Sequence, residues 1–135
     1  MRAVLDVNVL VAAILSREGA PAQLLRLWRE GRFELVLSPA LLDELQRVLA
    51  YPKIRRRIPE AEAAEFVTLL RREPVTADLA AVPPIRSSDP DDDYLIGLAQ
   101  ATQAAIVSGD AHLLDLSDRI PVFAPAAFLL ELGKQ

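Results

Sequence analysis

The sequence predicts an α/β domain in which a central parallel sheet carries helices on both faces, and three observations lead there. Short apolar runs at residues 3–7, 33–37 and 105–108 read as buried strands. Segments of helical periodicity, about a dozen residues long, alternate with them, which is the pattern of βαβ units with right-handed crossovers. Hydrophobic residues make up 52% of the chain and aromatics only 5%, so the core must come from Leu, Val, Ile and Ala. A length of 135 residues suits one domain, residues 1–135, and is short for two. No internal repeat, heptad run, low-complexity tract or linker argues for a second.

In chain order, residues 3–7 form the first strand, an apolar run holding a single acid, Asp6. Residues 9–15 continue apolar as a helix and stop at the loop signal Ser16-Arg17-Glu18-Gly19. Pro21 opens a second helix on which Leu24, Leu25, Leu27 and Trp28 recur at core spacing, and Gly31 ends it. Residues 33–37 are a second strand, followed by Ser38-Pro39, an N-cap with proline at the first helical position of a helix reaching about Ala50. Tyr51-Pro52 breaks that helix, a basic stretch follows, and Pro59 starts another helix with Ala63, Phe66, Val67, Leu69 and Leu70 apolar. Residues 73–76 read as an edge strand or extended segment because of Pro74. After the turn-rich residues 83–90 come a helix at 91–101, a strand at 105–108, a short helix at 110–114, a strand at 122–123 and a terminal helix at 125–132.

Composition excludes several kinds of chemistry. The chain has no cysteine, so disulfides, thiolate zinc sites and thiol nucleophiles are out. Its one histidine rules out a two-imidazole mechanism, and His112 reads as an exposed helix residue. Fifteen Lys and Arg against nineteen Asp and Glu give a net charge of −4, so a polyanion would have to be gripped locally. Asp6 and Asn8 interrupt the apolar N-terminal stretch, which argues against a signal peptide. No apolar run reaches the roughly 20 residues needed to cross a bilayer, and the expectation is a soluble, cytoplasmic protein without a membrane partner.

In open parallel sheets ligands bind outside the carboxyl ends of the strands. Asp6 ends the first strand, Asp110 follows the strand at 105–108, Glu44 lies in the helix after the second strand, and Asp93 lies in the first turn of its helix. Four acids from distant parts of the chain thus map to one edge of the sheet. Carboxylates that cluster raise one another's pKa or need a cation between them, and with oxygen ligands alone that cation is hard and divalent, Mg²⁺ or Mn²⁺. Each acid also has a structural explanation. Asp6 is the hardest to explain that way, because a buried unpaired carboxylate is costly. Glu44 sits beside Asp43 on a helix where solvated acids are ordinary. In Asp89-Pro90-Asp91-Asp92-Asp93 one Asp can cap the helix while others favour its positive end, and Asp110 can cap the short helix after it.

With these residues the chain resembles the PIN domain family, in particular the VapC-like ribonucleases that are toxin components of bacterial toxin–antitoxin systems. The resemblance covers nearly the whole chain and rests on LDVNVLVAAIL, SPALLDELQRVL, DPDDDYLIGLAQA and AIVSGDAHLL, in this order and spacing. It implies a three-layer fold and Mg²⁺- or Mn²⁺-dependent RNA cleavage that leaves 5′-phosphate and 3′-hydroxyl ends. By resemblance, Asp6, Glu44, Asp93 and Asp110 fall on the family's acidic quartet, with Asn8 and Ser108 supporting and Asp92 or Asp89 sharing the work of Asp93. It also implies a homodimer and a cognate antitoxin that inserts a basic side chain among the carboxylates. Lys53, Arg55, Arg56 and Arg57 are the candidate RNA phosphate contacts, the alternative being a solvated loop or salt bridges to Glu60, Glu62 and Glu65. Two rivals stand beside this reading. A phosphatase resembling the haloacid dehalogenase family would use Asp6 as nucleophile, but it wants a second Asp where Asn8 stands and a lysine after a late strand. A catalytically silent module would use the acids to hold a structural metal or a partner's arginine.

Overall fold

The computed structural model describes residues 1–73 and 93–134. Among the described residues it has the predicted architecture, a four-stranded parallel sheet with helices. The strands are β1 (Arg2–Leu5), β2 (Glu34–Leu35), β3 (Ala105–Val107) and β4 (Val122–Phe123), in the order β2-β1-β3-β4. β1 and β3 lie in the middle, and Ala3, Val4, Leu5, Ile106 and Val107 are fully or almost fully buried. Such strands are apolar on both faces because helices cover both. The β1–β3 register pairs Val4 with Ile106 and Leu5 with Val107. On the other side of β1, Arg2 lies opposite Glu34 and pairs with it at 2.8 Å.

Helices α1 (Val7–Leu15) and α2 (Ala20–Arg29) connect β1 to β2 and pack on one another. α2 ends at Gly31, whose φ of +80° admits glycine readily, and Arg32 N–H closes the cap on the Leu27 carbonyl at 3.0 Å. Between β2 and β3 run α3 (Pro39–Leu49), α4 (Pro52–Arg55), α5 (Glu60–Arg71) and α6 (Asp93–Thr102), and α6 packs on β1 and β3. α7 (Ala111–Leu114) joins β3 to β4, and α8 (Pro125–Gly133) closes the chain against β4 and α2. The winding runs from β1 outward to β2, then back across β1 to β3. α1, which follows β1, packs on α3, which follows β2, so the helices that begin beyond the carboxyl ends of these two strands meet one another. No helix among the described residues is long and apolar enough to cross a membrane.

Most expected elements are present, with three differences. The strand expected over 33–37 pairs only through Glu34 and Leu35. Val36 N–H still donates to the Ala3 carbonyl at 2.9 Å, but the chain then turns into Ser38, whose hydroxyl accepts from Leu41 N–H at 3.2 Å and caps α3 as anticipated. The basic stretch after Tyr51 begins with an additional short helix, α4. Pro52 at its first position supplies the fixed φ, and the Tyr51 carbonyl accepts from Ile54 and Arg55 N–H groups. Finally, the strand at 105–108 ends one residue earlier, at Val107, although Ser108 N–H still donates to the Phe123 carbonyl of β4 at 3.0 Å while its hydroxyl serves the site. The extended segment expected over 73–76, beyond Glu73, and the first two residues of the helix expected at 91–101 lie outside the described residues.

Candidate active site

The site begins where β1 and β3 end. Asp6 N–H donates to the Val107 carbonyl at 2.9 Å, so Asp6 is still held in the sheet while its own carbonyl accepts from Val9 and Leu10 N–H groups and starts α1. One residue thus carries both the sheet edge and a helix N-terminus. The residue is only 8% exposed. Ser108, fully buried just past β3, donates from its hydroxyl to Asp6 Oδ2 at 2.8 Å and accepts at the same oxygen from Asp110 N–H at 3.0 Å. Ser108 therefore ties together the two strand ends between which the winding reverses, the position where open α/β sheets bind ligands.

The surrounding cleft, about 590 Å³, is lined by Asp6, Asn8, Glu44, Arg47, Tyr94 and Asp110, together with Val7, Ala40 and Leu95. Glu44 reaches it from α3 because Leu41, Leu42, Leu45 and Leu49 bury the other face of that helix. Asp110 is half-buried. One of its oxygens accepts from His112 N–H at 2.8 Å, so it caps α7 as the sequence allowed while also lining the cleft. From α6 the lining residues are Tyr94 and Leu95, and Asp93 is the residue that begins that helix. Asp92 and Asp89 lie outside the described residues.

Burial pushes the Asp6 carboxyl above its ordinary value near 3.8. The Ser108 hydroxyl and the Asn8 and Val7 N–H groups oppose this, and the nearby Asp110 carboxylate adds to it. A buried acid facing a second acid is costly unless a cation or proton joins them. Among the described residues no cationic side chain pairs with Asp6 or Asp110, whereas Glu44 is bound by Arg47 Nη2. The available donors are all oxygens, the donor set that Mg²⁺ and Mn²⁺ prefer. The chemistry of the wall therefore fits a hard divalent ion. Among the described residues, no three acidic or histidine side chains are already close enough together to hold one ion.

The basic run lies elsewhere. Lys53, Arg56 and Arg57 are exposed, and Arg55 donates to the Leu49 carbonyl and pairs with Glu60 at 3.5 Å beside a groove between α3 and α5. None of the four lines the acidic cleft. Sequence reasoning missed Arg47 and Tyr94. The signal for Arg47 was present, since a basic residue three positions after Glu44 shares its helix face.

Ser108→Ala leaves the Asp6 carboxylate and the Asp110 N–H without their shared partner in a fully buried position. We expect a loss of about 1–3 kcal/mol in urea unfolding and a roughly 10–100-fold loss of whatever activity Asp6 supports. Unchanged stability would mean that the Ser108 hydroxyl does not join the two strand ends.

A doubly wound parallel sheet with a carboxylate-lined cleft at its reversal point defines an α/β protein of the acid-site, oxygen-ligand kind. The chain belongs to the PIN domain family, whose sequence profile matches residues 2–112. Nuclease-type activity and the use of divalent metal ions are general to that family. The chain is also similar to an uncharacterized protein of Methanocaldococcus jannaschii, at 27% identity over 119 residues, covering 87% of this chain and 76% of the relative.

Proposed function

We propose that the cleft hydrolyses phosphodiester bonds of RNA, with Mg²⁺ or Mn²⁺ held by Asp6, Glu44, Asp93 and Asp110, and that the protein is the toxin component of a type II toxin–antitoxin system. The observation that carries the nuclease reading is that Asp6, Glu44 and Asp110, from positions up to 104 residues apart, line one cleft at the reversal point of the winding. The ion supplies activation of a water and stabilisation of the leaving oxygen. The protein's own groups do the rest. Ser108 fixes the orientation of the Asp6 carboxylate, Asn8 offers a polar group at the cleft edge, and Asp110 is held by its cap to α7. Water adds to phosphorus as the bond to O3′ breaks, which leaves a 5′-phosphate and a 3′-hydroxyl.

Lys53, Arg55, Arg56 and Arg57 would bind the RNA strand outside the cleft. Because none of them lines the cleft, they suit flanking phosphates rather than the one being cut. An acidic wall that already accepts one guanidinium, that of Arg47, also suits inhibition by a basic side chain of an antitoxin. A homodimer belongs to the same reading, and sedimentation as a monomer at micromolar concentration would remove it.

The test incubates the protein with a mixed-sequence single-stranded RNA and, separately, a generic phosphomonoester, each with Mg²⁺, Mn²⁺ or EDTA. RNA cleavage that needs the metal is the expected result. Phosphomonoester turnover without RNA cleavage would transfer the site to a phosphatase. Inactivity on both, with no heat of Mn²⁺ binding in calorimetry, would leave a silent module.

A further inference from the structure

Among the described residues that line the acidic cleft, Arg47 is the one cation. It lies one helical turn beyond Glu44 on α3, and its Nη2 contacts Glu44 Oε2. Its side chain is 64% exposed against 35% for Glu44, so the guanidinium leans outward over the cleft while the carboxylate sits deeper. Among the described residues Arg47 makes no other hydrogen bond or ion pair, which leaves most of its five donors for something else. Exposed ion pairs of this kind contribute only about 0–1 kcal/mol, so exchanging the partner costs little.

The cleft poses an electrostatic problem that Arg47 can solve. A phosphate approaching Asp6, Glu44 and Asp110 meets a wall of like charge in a protein of net charge −4. The run Lys53 to Arg57 does not line that wall. A planar guanidinium presents paired donors that match two phosphate oxygens, which lysine does not. We propose that Arg47 is the phosphate-positioning residue of the cleft. Its guanidinium leaves Glu44 for the non-bridging oxygens of an RNA phosphate, and Glu44 is thereby freed for a cation. One side chain thus links the two events, since Arg47 and the cation compete for the same carboxylate. The inference rests on the ribonuclease reading of the site.

The test compares wild type, Arg47→Ala and Arg47→Lys in three measurements. The first is the binding of a fluorescein-labelled single-stranded RNA, followed by anisotropy across a salt series with Ca²⁺ present and the RNA checked intact on a gel. The second is calorimetric titration with Mn²⁺ in the absence of RNA, and the third is RNA cleavage with Mn²⁺. Arg47→Ala should weaken RNA binding roughly tenfold and flatten the dependence of log affinity on log salt by about 0.7, the slope of one phosphate contact on a single strand. Arg47→Lys should restore the slope but not the whole affinity. Mn²⁺ binding in Arg47→Ala should be as tight as in wild type or tighter, because the competitor for Glu44 is gone.

An Arg47→Ala protein with wild-type affinity and slope, alongside a wild type that cleaves RNA, would overturn the assignment and leave the ribonuclease reading standing. Parallel loss of RNA binding, Mn²⁺ binding and thermal stability would make Arg47 a structural support of Glu44 and would overturn it too. A wild type that neither binds nor cleaves RNA would remove the ribonuclease reading, and the assignment with it.

Discussion

Asp6→Asn is expected to abolish metal-dependent RNA cleavage, by more than the roughly 100-fold that loss of a merely supporting group costs, while the protein stays folded and becomes no less stable. The two halves of that expectation have one cause. The carboxylate is buried at the end of β1, faces Asp110, and has no cationic partner among the described residues. An amide of the same shape can still accept from the Ser108 hydroxyl without the cost of a buried charge. The pH dependence has a definite sign. Because the folded-state pKa is raised, the folded protein holds this proton more tightly than the unfolded chain does. The associated stability is fully present below the unfolded value and is lost as pH rises from there through the raised folded value. In EDTA the advantage of Asp6→Asn over wild type should therefore grow across that window and level off above it, as read from urea midpoints. Equal loss of circular dichroism and activity in the variant would instead make Asp6 a structural residue.

Phe128→Ala should be among the most destabilising single changes in the chain, at about 3–5 kcal/mol, or roughly 10–18 °C in Tm. Phe128 is fully buried on α8, meets Phe33 edge-to-face with ring centroids 5.5 Å apart, and lies 5.7 Å from Phe123. In a core with so few aromatics these three rings join α8 to the chain before β2 and to β4. Removing the central ring leaves a cavity that the surrounding Leu and Val side chains, already in van der Waals contact, cannot fill. The urea midpoint should fall with little change in slope, and Phe128→Leu should retain most of the stability. A loss below about 1 kcal/mol would mean that α8 is not anchored through this ring.

Local rules made much of this molecule legible in the sequence. Both faces of β1 are covered, so Ala3 to Leu5 reads as an unbroken apolar run, and the acid that follows it is conspicuous for the same reason. Ser38 with Pro39 announced α3, and Gly31 announced the end of α2, because caps depend on a few neighbouring residues. Asp110 showed both its readings, and the structure has it serving as a cap while lining the cleft. The short helix at Pro52 was less visible, since one turn offers too few positions for a periodicity to register. The sequence also suggested that Lys53 to Arg57 could reach RNA, but charge along a chain carries no information about which groove it borders. In the folded protein Arg55 faces Glu60, away from the acids.

By itself, then, the sequence determined the class of fold, the order of its helices and strands, and the acids worth suspecting, because these follow from periodicity, capping and the cost of burying charge. That β3 lies beside β1, which puts the Ser108 hydroxyl 2.8 Å from an aspartate 102 residues away, became visible in the folded chain alone. The same holds for the exposed face of α3, which turns Glu44 and Arg47 toward that same opening. Strand order and helix rotation are settled by how whole elements share one core, and no local stretch of residues encodes that.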